Sequence, residues 1–427
     1  MISGRDIVYV STIEWNFLWQ GHQEIARRLA EAGNRVFYLE NTGVRSPGVR
    51  DARRVAFRLR RWAGALRSGG VREVAPNVYV CSPLVLPPFG SALRRGLNRH
   101  LLLRLVRRTA RRMGIRDPLV WTYLPTDTTL DLVRTLPHSG LVYYCVADFT
   151  QLTPQPDRLR AAERELLKRS DVVFAFCSEL AATCAEDNPN VHVFPAGVNL
   201  DAFPLDATAD DAAGRRRGAG NAAGQTSDPD GAELARLPRP VVGYVGGMHR
   251  HVDFELLKNA ARARPDWSFV CVGALQADTL GLAGLPNVHL LGQKPHESLV
   301  NYIRRFDVCI VPYVNSVYTR TVVPTKINEY LAVGKPVVST DIPTVREFNA
   351  EHRVLITSPA ETESFVRAIE QALLTGGDAA AVRHRRRVAE QGDWGKRLEE
   401  MSGLIEASVG AEGVRAEKRR ARAASRS

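Results

Sequence analysis

Short apolar runs alternate with stretches of three-to-four periodicity along almost the whole chain of 427 residues. The runs at 7–10, 35–39, 78–81, 119–122, 141–146 and 172–177 are rich in β-branched and aromatic side chains. After Pro240 the series restarts at 241–245, 268–272, 288–291, 308–312 and 337–340. Strands that are apolar on both faces and separated by helical segments belong in parallel sheets covered by crossover helices. The pattern predicts an α/β protein with two Rossmann-like halves.

Between the two series, residues 206–233 carry no apolar period. They are dominated by Ala, Gly and Asp around Arg215, Arg216 and Arg217, which reads as a disordered linker or surface insertion. The expected organisation is an N-terminal Rossmann-like, acceptor-side domain over 1–204 and a linker over 205–236. A C-terminal Rossmann-like donor domain follows over 237–380, then helices over 381–410 that pack back on the N-terminal domain. A basic tail over 411–427 is expected without fixed structure. In open parallel sheets ligands bind beyond the carboxyl ends of the strands, so polar residues in those loops are the candidates for chemistry.

Composition narrows the class. With 44% hydrophobic residues the chain can fill two cores, and no apolar run reaches the roughly 18 residues of a spanning helix. The first ten residues run from a charge pair straight into a strand, unlike a secretory signal. The six cysteines form no CxxC and several sit in apolar runs, as buried free thiols do in a reducing compartment. The expectation is a cytoplasmic protein, and the Ala- and Arg-rich composition is that of a GC-rich bacterium.

The net charge of +12 is local: residues 53–112 hold 15 Arg, no Lys and one acid, Glu73. In 53–67, Val55, Leu59, Trp62 and Leu66 line one face, with Arg53, Arg54, Arg58, Arg60 and Arg61 off it. That pattern fits two readings: an apolar face packed on the sheet with solvated arginines, or an interfacial helix on an anionic inner leaflet, touching it through Arg53, Arg54, Arg58, Arg61 and Trp62. Residues 102–113 read instead as a crossover helix with solvated arginines. No RNP, helix-turn-helix or zinc-finger pattern accompanies the basic block, so no nucleic acid partner is expected.

The segment 323–338 carries the strongest local signal. Pro324 and Thr325 open a short helix, Ile327, Tyr330 and Leu331 form its apolar face, and Gly334 and Pro336 end it. Lys326 and Glu329 share one face of its first turn. A cation beside free N–H groups suits a diphosphate, and a carboxylate one turn on suits a ribose diol. The alternative is a solvated Lys–Glu pair.

The string KINEYLAVGKPVVST resembles the donor-binding signature of retaining, family-4-like (group 1) glycosyltransferases, in which Lys and Glu take those two roles. VVGYVGGMHRHVDFELL and NVHLLGQKPHESLVNYIRRFDVCIVPY resemble earlier parts of the same domain. STIEWNFLWQGHQEIARRLAEAGNRVFYLE and LVYYCVADF are similar to the branch that builds extracellular polysaccharides. The resemblance implies a GT-B fold, two Rossmann-like parallel-sheet domains facing across a cleft. It also implies a hexosyltransferase that moves a sugar from a nucleotide-sugar donor to a saccharide or lipid-linked acceptor, with retention and without a metal or other cofactor. One departure stands out: many relatives carry a second Glu eight residues before the ribose-binding one, where this chain has Thr321. Asn315, Thr319 and Arg320 are then candidates, with Thr321, to hold the donor sugar.

The resemblance assigns further loops. Gly246 and Gly247, at a strand-to-helix turn, are placed at the diphosphate with Arg250 or His249 as cations; His249 and His251 lack a third residue at metal-ligand spacing. Gly273 and the Leu291-Gly292-Gln293 turn are placed at the base. In the N-terminal half, Trp15, Phe17, Trp19, Gln20, Gly21 and His22 follow the first strand. Gln20 and Gly21 are expected at the donor phosphates, and the aromatics either at a sugar or as a staple for the next helix. Asp148 is the catalytic-side candidate beside Lys326, or a turn cap. Two other readings remain: a non-catalytic GT-B partner of a polysaccharide assembly system, and a nucleotide-sugar epimerase.

Overall fold

In the computed structural model of the chain, the described residues are 1–16, 18–40, 71–83, 92–204 and 232–424. They form two compact units, one of Met1–Pro195 with Trp394–Ser427, the other of Ala196–Asp393. Phe17, the arginine segment 53–62 and the linker residues 205–231 lie outside the described residues.

The first unit is built on an eight-stranded sheet. Its strands are β1 (Asp6–Ser11), β2 (Arg35–Glu40), β3 (Val71–Ala75), β4 (Val78–Cys81), β5 (Leu119–Thr122), β6 (Gly140–Cys145), β7 (Val172–Ala175) and β8 (Val191–Val193). The order is β3-β4-β2-β1-β5-β6-β7-β8. Every pairing is parallel except the β3–β4 hairpin, so this sheet is mixed at one edge rather than wholly parallel. The interior strands are solvent-free: Ile7, Val8, Tyr9 and Val10 are fully buried, as are Leu141 to Tyr144. Each such aliphatic side chain contributes about 1.5–3 kcal/mol of burial.

Helices α1 (Gly21–Glu31), α2 (Ala92–Met113), α3 (Asp127–Thr135), α4 (Pro156–Leu167) and α5 (Ser178–Ala185) connect the strands. α1 buries Ile25, Ala26, Leu29 and Ala30 and opens on a capping box between Gln20 and Gln23. It closes at Gly33, whose φ of +92° suits a residue without Cβ. The last helix of the chain, α12 (Trp394–Ala424), also belongs to this unit. Trp394, Leu398, Met401 and Ile405 form its buried stripe, and Ser408 accepts a 2.8 Å bond from Asn190. Residues 411–424, expected without structure, continue this helix.

The second unit holds a six-stranded parallel sheet of β9 (Val241–Val245), β10 (Ser268–Val272), β11 (Val288–Leu290), β12 (Val308–Val311), β13 (Val337–Thr340) and β14 (Leu355–Ser358). The order β11-β10-β9-β12-β13-β14 reverses between β9 and β12, which puts the loops after those two strands at the topological switch point. The helices are α6 (Phe254–Ala263), α7 (Leu299–Arg305), α8 (Lys326–Ala332), α9 (Pro343–His352), α10 (Thr362–Thr375) and α11 (Ala379–Gln391). Phe306 lies so close to β9 that a Cβ on Gly243 would stand 2.0 Å from its ring, which explains a glycine in mid-strand.

α11 is tied into this second unit. The buried Arg385 guanidinium donates to the carbonyls of Gly334 (2.9 Å) and Gly376 (2.6 Å), at the carboxyl ends of α8 and α10. The C-terminal helices expected over 381–410 are therefore divided: α11 stays with the second unit and α12 joins the first.

Candidate active site

α8 begins at the switch point of the second sheet. Thr325, expected as its cap, is exposed, has helical backbone angles and makes no capping bond. The other end is as the sequence predicts. Gly334 has φ +76°, and the Gly334 and Lys335 amides return to the Leu331 and Tyr330 carbonyls.

Lys326 is 8% exposed. Its Nζ donates to the Tyr313 hydroxyl at 2.5 Å and stands 4.7 and 5.1 Å from the ring centroids of Tyr313 and Tyr244. Among the described residues it forms no ion pair. Glu329 is four-fifths buried and lies 4.0 Å from His296 Nε2. Burial pushes its carboxyl above the usual range, opposed by His296 and Lys326. The two residues are thus not a solvated pair: both are largely buried, the cation among tyrosines and the carboxylate beside a histidine.

The glycines make room for the cation. At Gly246 (φ +142°) an added Cβ would lie 2.8 Å from Lys326 Cε and 3.3 Å from Nζ. At Gly273 (φ +157°) it would lie 1.8 Å from the Gly246 carbonyl oxygen. Gly273 in turn donates to the Gly292 carbonyl at 2.8 Å, so the three glycines after β9, β10 and β11 form one run of close backbone contacts. The Gly246 amide is bonded to the Val272 carbonyl, which leaves that glycine as space for Lys326 rather than as a donor. Gly247 faces the Gln276 side chain, 3.0 Å from where its Cβ would be.

The loops after β9 and β12 are zipped together: Val314 donates to His251 (2.9 Å), Asp253 to Pro312 (2.8 Å), and His251 stacks on Tyr318 at 4.1 Å. His249 Nδ1 accepts from the His251 amide at 3.3 Å, so its ring hydrogen is on Nε2. Burial and the Lys326 charge lower its pKa to about 4, which keeps the ring neutral near pH 7. Arg250 is exposed and lies 3.4 Å from His251 Nε2. Among the described residues no group of three or more His, Cys, Asp or Glu is placed to hold a metal ion.

The sugar candidates separate. Thr319 is fully buried, and its hydroxyl donates to Val314 at 2.6 Å and accepts from the Ser316 amide at 2.8 Å. It staples the loop after β12: its proton goes to Val314, and its oxygen takes the Ser316 amide and lies 3.1 Å from Ser316 Oγ. Thr321 is buried, whereas Asn315 and Arg320 are exposed on the same loop.

In the first unit, packing explains most of the residues expected at a ligand. The Trp394 ring lies 2.9 Å from where a Cβ of Gly21 would be, so this glycine makes way for α12. Gln20 serves the cap of α1. Trp15 is buried edge-on to Tyr38 (5.3 Å), and Trp19 donates to Glu24 at 3.0 Å, the staple alternative for both. Asp148 caps the turn Phe149–Leu152, accepting from the Thr150 amide (3.0 Å), the Thr150 hydroxyl (2.5 Å) and Gln151 (3.2 Å). That is the cap alternative, and it leaves the carboxylate already engaged.

Sequence reasoning passed over Tyr313, Tyr244 and His296, which surround Lys326 and Glu329. It also passed over a buried network under the β1 loop, apart from His22. There the Tyr9 and Tyr123 hydroxyls are 2.5 Å apart, and Ser11 Oγ lies 3.0 Å from His22 Nδ1 and 2.7 Å from the Tyr38 hydroxyl. Tyrosines at the carboxyl ends of strands were the available signal.

Residues 239–375 match the model of the family described as glycosyl transferases group 1. A Bacillus subtilis (strain 168) protein, provisionally named a teichuronic acid biosynthesis glycosyltransferase, is 28% identical over 246 residues, 55% of this chain and 57% of its own length. The chain thus spans little more than half of that relative. Among solved structures, sucrose-phosphate synthase from Thermosynechococcus elongatus superposes with a TM-score of 0.68 at 16% identity, over 95% of this chain and 100% of its own. Anabaena HepE in complex with UDP-glucose gives 0.63 at 16% identity, over 94% and 100%. The chain has the GT-B fold, its second unit resembles group 1 glycosyl transferases over residues 239–375, and the chain is similar to a protein named for cell-surface polysaccharide synthesis.

Proposed function

We propose that the chain transfers a sugar from a nucleoside-diphosphate sugar to a hydroxyl acceptor in cell-surface polysaccharide or glycolipid synthesis. The observation that carries this reading is Lys326, a buried ammonium held by tyrosines that forms no ion pair among the described residues. Burying a charge without a counter-ion is costly, and a diphosphate supplies the missing one. Glu329, largely buried one turn on, accepts the ribose hydroxyls, and their hydrogen bonds favour its ionised form. Neutral His249 offers its Nε2 hydrogen toward the same anion.

In the transfer, the bond from the anomeric carbon to the diphosphate oxygen breaks and a bond to the acceptor oxygen forms on the same face. The acceptor proton passes to the departing diphosphate. Lys326 lowers the barrier because its charge meets the negative charge that grows on that oxygen. UDP-sugars are the first donors to test, since HepE binds UDP-glucose. The acceptor is a saccharide or a lipid-linked saccharide, in line with the name of the Bacillus relative.

Calorimetric titration with UDP and GDP tests the site. Binding of one of them, lost in Lys326→Ala and weakened in Glu329→Ala, is the expected result; a folded protein that binds neither overturns the reading. The buried Thr321, where many relatives carry a sugar-binding Glu, favours one second reading, a non-catalytic partner. Nucleotide binding without turnover of any acceptor would select it.

A further inference from the structure

Helix α2 has two faces. Leu102, Leu103, Val106, Thr109 and Ala110 are buried, and the helix packs against α3. The opposite face is in solvent and carries Leu97, Leu101, Arg104, Arg108, Arg111 and Arg112. At 100° per residue these six positions fall within about 60° of one line along the helix. Leu97 and Leu101 are 45% and 42% exposed.

The charge on this helix is of one sign. Its 22 residues include eight arginines and no acid. Two of the arginines point away to protein partners: Arg99 lies 3.7 Å from Asp131, and Arg107 donates to the Thr135 carbonyl. A surface helix whose charge served only solubility would carry acids in i,i+4 positions, because these add support and prevent self-repulsion. Here nothing on the helix offsets the repulsion, and an exposed leucine pair is aligned with the cations.

We propose that this outer face of α2 docks on an anionic phospholipid surface. The helix lies flat, Leu97 and Leu101 enter the headgroup–acyl boundary, and Arg104, Arg108, Arg111 and Arg112 bind lipid phosphates with their aliphatic stems along the apolar layer. A polyanion such as RNA would match the arginines but leave the leucines in water. The leucines therefore favour a membrane. This places the contact on α2, whereas the residues expected from sequence lie at 53–62.

Vesicle flotation of the full chain tests the assignment, using phosphatidylcholine alone and with about one-third phosphatidylglycerol. Wild type is expected to float with the anionic vesicles and not with the neutral ones. The triple variant Arg104→Gln/Arg108→Gln/Arg111→Gln and the double variant Leu97→Gln/Leu101→Gln should each weaken binding about tenfold or more. Every substituted residue is exposed, so unchanged thermal melting is expected and checks the fold. Three results overturn the proposal: no flotation of wild type, flotation unchanged in both variants, or loss in the arginine variant alone with equal binding to RNA.

Discussion

The Lys326 ammonium donates to the Tyr313 hydroxyl at 2.5 Å, and that bond sets where the cation stands. Tyr313 follows β12 while Lys326 opens α8, so the contact joins the two sides of the loop that runs between them. Removing the hydroxyl leaves the charge but frees its position. Tyr313→Phe is expected to lower kcat/KM for the nucleotide-sugar about three- to tenfold, the size of one hydrogen bond. Lys326→Ala is expected to lower it about 100-fold or more, because a charge aimed at the leaving group is lost. Steady-state kinetics with one donor decide this; equal losses in both variants would show that Tyr313 does more than position the lysine.

Gly246 and Gly273 fail differently when given a side chain. A methyl group at Gly273 would stand 1.8 Å from a carbonyl oxygen, and no side chain can move to relieve it. Gly273→Ala is expected to cost about 3 kcal/mol or more and to shift the whole melting curve of its unit. At Gly246 the obstacle is the flexible end of Lys326. Gly246→Ala is expected to cost about 1–3 kcal/mol of backbone strain while displacing the ammonium, so nucleotide affinity falls further than stability. Melting temperature and calorimetric affinity, measured on both variants, separate the two effects.

The sequence pattern finds every interior strand and one edge strand, β11, and misses the other three edges. β3, β8 and β14 pass unnoticed, and all three are sheet edges where polar side chains interrupt the apolar run. The end of α8 is legible because Gly334 and Pro336 act locally. Lys326 and Glu329 are legible as a pair because three-residue spacing fixes one helix face. Tyr313 is not, since it reads as more of the β12 apolar run, and only the fold turns its hydroxyl to a residue thirteen positions on. The packing role of Gly21 is illegible for the same reason: what it accommodates, Trp394, is far along the chain.

His22 predicts how the first unit responds to acid. It is buried against Tyr123 (ring centroids 3.8 Å), and burial lowers its pKa to about 3. Between its ordinary value near 6.5 and that lowered value, the unfolded chain binds a proton that the folded one refuses. This contribution to stability is therefore whole above about pH 6.5 and is lost as pH falls toward 3, by roughly 1.4 kcal/mol per pH unit at most. His249 acts in the same sense in the second unit, down to about 4. Glu163 and Glu329, raised by burial, act in the opposite sense: they favour the fold at low pH and lose that effect as pH rises. Melting temperatures of wild type and His22→Gln from pH 8 to 4.5 test this. The wild type should lose more on acidification than the variant; parallel curves would mean that His22 titrates normally.

Gly21 and Trp394 should behave as one unit in a double-mutant cycle. A Cβ at Gly21 would meet Trp394 Cζ2 at 2.9 Å and Cη2 at 3.3 Å, both on the benzo ring. Gly21→Ala is expected to destabilise the first unit by about 1–3 kcal/mol, the usual range for overpacking, although alanine suits a helix better than glycine does. Trp394→Phe removes the part of the ring that obstructs and leaves a void at the start of α12, which is destabilising by itself. In the double variant the alanine methyl enters the space the indole vacated. The combined cost should fall below the sum of the two single costs by about 1 kcal/mol or more. Denaturant melts of the four proteins measure the coupling, and additive costs would show that the two residues are not in contact in solution.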